Sequence, residues 1–361
     1  MLYDLLVPLA EDHTFFNVFR YITFRAAYAT VTALLIAFVL GPWVIRKLRV
    51  LKVGQIIRQE GPESHYKKAG TPTMGGLLIL VATVVPTILW ADLREPFIQI
   101  ILVATLWMGG LGFLDDYLKV VKRRSKGLIA MQKIVGQVLL GVVLGIWLYL
   151  EPANSEYVTR TSVPFLKERF VDFGWLYIPF IIFVITAMTN AVNLTDGLDG
   201  LAIGLSGIAA AAFAAFAYII GRADWSTYLQ IPYLPGGGEL TIYCLSLLGA
   251  SLGFLWFNAH PAQVIMGDTG SLALGGAFGT LAILLKIEFV LVLIGGVFVM
   301  ETLSVIIQVV SFKLRGKRVF KMSPLHHHFE QSGWAEATVV LRFYILGLLF
   351  ALLAASTLKL R

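Results

Sequence analysis

The feature that most constrains this chain is a series of apolar stretches, each close to the ~20 residues that carry a helix across a hydrocarbon core. Ten can be drawn, at 26–45, 74–91, 97–114, 134–150, 174–191, 200–220, 241–257, 271–285, 289–310 and 337–357. Lipid offers no partner to an exposed backbone N–H or C=O, so stretches of this kind fold as helices. The expected fold is therefore all-α: a polytopic integral membrane protein of about ten transmembrane helices, organised as one domain over residues 1–361. The composition agrees, with 58% of the 361 residues apolar and 14% charged. A soluble domain carries about 25% charge, so a water-soluble globule is excluded. Basic residues rather than a small-residue cleavage site follow the first stretch, which reads as a retained helix and not a signal peptide. The single cysteine, Cys244, sits in an apolar run. It excludes an intrachain disulfide or a cysteine metal site and reads as a packing residue.

Ten crossings put both termini on one side, and the Lys and Arg residues say which. The loops after the first, third, fifth, seventh and ninth stretches hold 18 of the 29 basic residues, from Arg46 to Lys68, Lys119 to Lys133 and Lys313 to Lys321. These loops are expected in the cytoplasm and both termini in the periplasm. Sidedness and attraction to anionic lipid account for most of the +7 net charge. Nucleic acid is not needed to explain it.

The same loops collect the chemistry. The first ends in KKAGTPTMGG, where Lys67, Lys68, Thr71, Thr73, Gly75 and Gly76 suit phosphate oxygens, because glycine lets backbone N–H groups approach closely. Taken alone, it reads more readily as a helix start behind a Thr-Pro turn. The second opens on Asp115 and Asp116, adjacent carboxylates that call for a cation, a shared proton or nearby lysines. Lys119 and Lys122 follow at helical spacing. The third, NAVNLTDGLDG, packs Asn190, Asn193, Asp196 and Asp199 among glycines with no basic residue. It suits sugar hydroxyls, a base edge or a divalent cation, and it lacks the terminal Glu of an EF-hand. The fourth, FNAHPAQVIMGDTGS, carries Asn258, His260 and Asp268. Asp268, a lone carboxylate among glycines, is a natural Mg2+ ligand beside substrate phosphates. The fifth holds His326, His327 and His328. Adjacent side chains rarely converge on one ion, so phosphate contacts or proton transfer are as plausible as metal ligation.

Joint placement decides the reading. Asp115, Asp116, Asp196, Asp199 and Asp268 are all the aspartates of these loops, each beside the end of a stretch on one membrane face. With the lysines, histidines and Gly-rich turns they make a Mg2+ and polyphosphate site at the level of lipid headgroups. Glu301 lies in the middle of the ninth stretch, where a carboxylate is a functional candidate by default. A helix-to-helix hydrogen bond is preferred there over a transport role, and Gln308 lies nearer the cytoplasmic end.

TPTMGG, the Asp115–Asp116 pair, NAVNLTDGLDG, MGDTGSLALGG and PLHHHFE, in this order, resemble the phospho-N-acetylmuramoyl-pentapeptide transferase (MraY) family. That family lies within the polyprenyl-phosphate N-acetylhexosamine 1-phosphate transferases. The likeness covers essentially the whole chain. It implies transfer of phospho-MurNAc-pentapeptide from UDP-MurNAc-pentapeptide to undecaprenyl phosphate, releasing UMP and forming lipid I for peptidoglycan. It further implies a homodimer in the bacterial inner membrane, with the active site facing the cytoplasm. Asp268 matches the Mg2+-associated aspartate, and Asp115 with Asp116 the acidic pair near the acceptor phosphate. Asn190, Asn193, Asp196 and Asp199 match the loop lining the nucleotide pocket, and His326, His327 and His328 the histidine cluster. Lys68, Thr73, Lys133, Asn258 and Gln308 are further substrate-binding matches. Three residues before Asp268 the family commonly has Phe, which would stack on uracil, and this chain has Ile265.

Direct attack by the acceptor phosphate and a covalent aspartyl intermediate both satisfy this sequence, with direct attack preferred. A transporter would place its acids near the midplane and show internal repeats; here the acids lie at stretch ends and no repeat is visible. A non-enzymatic scaffold would leave the polar loops without purpose. The nearest alternative is a sister transferase using UDP-N-acetylglucosamine.

Overall fold

The computed structural model describes residues 1–50, 70–122, 124, 127–152, 155–166 and 169–359. Lys67 and Lys68 lie outside the described residues. The helices are α1 (Leu2–Leu6), α2 (Ile22–Val50), α3 (Gly76–Trp90), α4 (Pro96–Val120), α5 (Ala130–Leu150), α6 (Tyr177–Thr195) and α7 (Leu201–Ile220). They continue with α8 (Ala223–Leu229), α9 (Leu240–Asn258), α10 (Gly267–Leu284), α11 (Glu288–Ile294), α12 (Gly296–Arg315), α13 (Leu325–Glu330) and α14 (Glu336–Ser356). Among the described residues, eight helices are long and apolar enough to cross a membrane. The second apolar stretch instead makes α3, with 15 residues, and the eighth makes α10, with 18.

Two features depart from a plain bundle of unbroken helices. The ninth stretch is divided, because α11 ends at Ile294 and α12 begins at Gly296. Gly295 and Gly296 meet there, and paired glycines hold a helix poorly. Between α5 and α6 the chain forms a small antiparallel hairpin of β1 (Arg160–Ser162) and β2 (Phe170–Asp172), with Thr161 opposite Val171. Its base is tied to α11 by Glu288, which accepts hydrogen bonds from Thr161 and, at 2.5 Å, from the Tyr177 hydroxyl.

Helix α10 is the central post: every residue from Thr269 to Leu284 is buried. It packs against α4, α6 and α3, while α9 packs against α2, α7 and α3. Small residues allow membrane helices to approach backbone to backbone. A Cβ on Gly76 of α3 would lie 2.1 Å from the Gly270 nitrogen, and one on Gly112 of α4 would lie 2.1 Å from the Asp268 carbonyl oxygen. Two neighbouring helices are thus drawn onto the first turn of α10, and that junction holds the carboxylates. Both chain ends lie at the opposite end of the bundle. The Met1 ammonium donates to the Ile88 carbonyl at the far end of α3, and Lys359 reaches Tyr228 beyond the far end of α7.

Candidate active site

Asp115 and Asp116 are helical residues, because α4 continues to Val120, and both are buried. One oxygen from each of Asp115, Asp116 and Asp268 lies within 4.8 Å of the others. Asp116 ties α4 to α10: Oδ1 accepts the Asp268 N–H at 3.1 Å, and Oδ2 accepts the Thr269 N–H at 2.8 Å and the Thr269 hydroxyl at 2.6 Å. Gly267, just before, has φ +76°, in the left-handed region that favours glycine. A Cβ there would lie 2.8 Å from Asp116 Oδ2 and 3.0 Å from Thr73 Oγ1, which places Thr73 at the same junction.

Two lysines stand between the remaining carboxylates. Lys133 Nζ is 3.0 Å from Asp115 Oδ2 and 2.5 Å from Asp268 Oδ2. Lys119 also pairs with Asp115 and lies 3.1 Å from Asp268. Asp115 Oδ1 accepts the Leu128 N–H at 2.7 Å. Asn193 donates to Asp268 Oδ1 at 3.1 Å and to the Ser271 hydroxyl at 2.8 Å. The resulting donor set is carboxylate oxygen with no sulfur, the type that hard divalent cations take. Burial pushes the Asp196 carboxyl up to about 8, with the charges of Asp268, Asp116 and Asp199 adding to the effect against a hydrogen bond from the Gly267 backbone.

Other candidates from the sequence hydrogen-bond within the protein. Asn190 donates to Gln137 at 3.1 Å and to the Thr186 carbonyl at 2.8 Å. Asn258, buried, accepts the Gly200 N–H at 3.1 Å and donates to the Val264 carbonyl at 2.8 Å, joining the third loop to the fourth. Gln308 holds the turn after α12: its oxygen accepts the Val319 and Phe320 N–H groups and its nitrogen donates to the Phe320 carbonyl. The histidines divide. His326 is fully buried, whereas His327 faces Glu330 at 2.8 Å, and His328 Nδ1 accepts the Lys321 N–H at 3.1 Å.

Asp199 belongs to a second constellation. Its Oδ2 accepts the Ala262 N–H at 3.1 Å and lies 3.2 Å from His260 Nδ1. Glu336, in the first turn of α14, accepts the Asp199 N–H at 2.8 Å and comes within 3.4 Å of His260. The candidate list from sequence omits Glu336. An acid opening the last apolar stretch was its one visible signal. Both bridging lysines were visible in the sequence, Lys133 as a substrate-binding candidate and Lys119 by its helical spacing, four residues after Asp115.

Residues 98–286 match the family model described as Glycosyl transferase family 4, and residues 68–80 match Phospho-N-acetylmuramoyl-pentapeptide-transferase signature 1. Similar curated proteins named phospho-N-acetylmuramoyl-pentapeptide-transferase come from Geobacter sp. (strain M21) and Citrifermentans bemidjiense, each 57% identical over 361 residues with all of both chains covered. One from Pelobacter propionicus is 54% identical over the same full length.

Proposed function

This chain belongs to the phospho-N-acetylmuramoyl-pentapeptide transferase family, and from that premise we propose that it transfers phospho-MurNAc-pentapeptide from UDP-MurNAc-pentapeptide to undecaprenyl phosphate. UMP leaves and lipid I forms. The observation that carries the reading to this chain's own residues is the junction of α4 and α10, where Asp115, Asp116 and Asp268 form one cluster with Lys119 and Lys133.

An oxygen of the acceptor phosphate forms a bond to the β-phosphorus of the donor, and the bond from that phosphorus to the bridging oxygen breaks, the electron pair leaving with UMP. A phosphate monoester with second pKa about 6 is largely ionised near neutrality, so it needs positioning more than deprotonation. Asp115 suits that role. One oxygen accepts the Leu128 N–H and the other faces two ammonium groups, an arrangement that makes it a poor nucleophile and favours direct attack over an aspartyl intermediate. Lys119 and Lys133 neutralise charge on the pyrophosphate and the departing phosphate. Asp116 orients Asp268 by holding the first turn of α10. Mg2+, held by Asp268 with Asp115, would supply charge neutralisation at the phosphates. Asn193 and Asp196 adjoin the same cluster and suit the nucleotide end of the donor.

The charge asymmetry of the loops supports a site on the cytoplasmic side of a bacterial inner membrane, and the family resemblance implies a homodimer. The test is purified protein with undecaprenyl phosphate, Mg2+ and either UDP-MurNAc-pentapeptide or UDP-N-acetylglucosamine, following UMP. Turnover with the muramoyl donor is expected. Turnover with only UDP-N-acetylglucosamine would assign the chain to the sister reaction.

A further inference from the structure

Glu301 and His326 are both fully enclosed, with no exposure of either side chain. Glu301 is on α12, inside an apolar helix, and His326 is the second residue of α13. The carboxylate holds the short helix twice: Oε1 accepts the His326 backbone N–H at 3.2 Å and lies 3.2 Å from the ring Nδ1. On its other side the ring presses on the third loop. A Cβ on Gly197 would lie 2.2 Å from His326 Nε2. Only a residue without a side chain lets the loop pass the ring this closely.

Glu301 Oε2 and both ring nitrogens make no hydrogen bond of good geometry among the described residues. Buried polar atoms without partners are costly, and three at one point call for an explanation. Neither side chain reaches the surface in this structure, so the pair is placed to position other residues rather than to meet substrate directly. The placement explains them instead: the pair joins the segment carrying Asp196 and Asp199, on either side of Gly197 and Leu198, to the helix carrying His327 and His328.

We infer that Glu301 and His326 form a buried positioning pair that sets the distance between the Asp196–Asp199 loop and the histidine helix, and through it the affinity for the nucleotide-sugar donor. Each side chain is the other's polar counterpart in an apolar surround, so removing either frees the ring or strands the carboxylate. The inference rests on the transferase reading for its assay. Failure of the two is distinguishable, since absence of UMP release by the parent protein would overturn the reading before any variant is compared.

The experiment measures donor KM, kcat and thermal midpoint for the full chain, Glu301→Gln, Gly197→Ala and the double variant. Because both substitutions act through one ring, each is expected to raise donor KM about fivefold or more with kcat within about twofold, and the double variant to exceed the worse single by no more than about twofold. An unchanged donor KM in Glu301→Gln, or increases that multiply in the double variant, would overturn the inference. Should Glu301→Gln fail to fold, Gly197→Ala is compared in the background of His326→Ala, where the added methyl group has room. Donor KM there should equal that of His326→Ala alone and exceed the parent's, and a parental KM would count against the pair.

Discussion

Gly112→Ala isolates the junction that carries the proposed chemistry, since it adds one methyl group and removes no functional atom. The new Cβ would lie 2.1 Å from the Asp268 carbonyl oxygen and 2.5 Å from its carbonyl carbon. These are backbone atoms of α10 that no rotamer change can move aside. Restoring ordinary contact near 3.5 Å requires α4 and α10 to separate by about 1 Å or more. The bonds from Thr269 to Asp116, now 2.8 and 2.6 Å, would then stretch to roughly 3.7 Å, beyond hydrogen-bonding range. Each is a hydrogen bond to a charged group worth about 1.5–3 kcal/mol, so losing both costs about 3–6 kcal/mol before relaxation. Displacement of a reacting group by about 1 Å costs on the order of 100-fold in rate. The expected outcome is a roughly 100-fold fall in UMP release together with a lower thermal midpoint in detergent. Gly110→Ala is the matched control on the same helix, because nothing lies within 4 Å of a Cβ there. Its activity should be parental, with a slight stability gain from helix propensity. Equal activities for the two variants, within about twofold, would refute the claim that backbone contact of α4 with α10 sets the catalytic geometry.

Lys133→Met removes an ammonium group shared by Asp115 and Asp268; turnover should fall while the Mg2+ concentration for half-maximal rate also falls, and a rise in that concentration would contradict the view that lysine and cation compete for the same oxygens. Asn258→Ala should lower the thermal midpoint by an amount equivalent to about 2 kcal/mol, since it strands the Gly200 N–H and the Val264 carbonyl; loss of donor affinity at an unchanged midpoint would instead make it a substrate ligand. For Asp196, burial raises the folded-state pKa to about 8, above the unfolded value near 3.9. The folded chain then binds more protons across that interval, and stability falls as pH rises through it. In EDTA, the midpoint of Asp196→Asn should gain on the parent's between roughly pH 5 and 8 and the gap level off above, whereas a gap that ignores pH would refute the shift.

The carboxylate cluster is legible in the sequence because topology restricts it: polar residues at the ends of apolar stretches on one membrane face have few places to go. Asp115, Asp116, Asp268, Lys133 and Asn193 do converge. The protein partners of Asn190, Asn258 and Gln308 were not visible in the sequence for a physical reason. An amide serves backbone and substrate with the same atoms, and which it serves depends on a partner far along the chain, as Asn258 finds at Gly200. The burial of His326 was hidden in the same way, since it depends on Gly197, more than a hundred residues earlier. The division at Gly295 follows local propensity but was masked by an apolar run that reads smoothly through it. Glu301 does join two helices, as preferred from sequence, its partner being the His326 backbone and ring.

Helix α3 has 15 residues, which at 1.5 Å each is about 22 Å, against a hydrocarbon layer about 30 Å thick. One end is fixed to the carboxylate junction, where the Gly76 N–H donates to the Met266 carbonyl at 2.8 Å. A helix this short beside longer neighbours cannot fill an unperturbed bilayer, so the membrane next to it must thin or the polar junction must sink below the headgroup plane. Either way, bilayer thickness becomes a variable of catalysis. Reconstitution into lipids of increasing acyl length should slow the enzyme by stretching the mismatch at α3, with no change in any residue of the site.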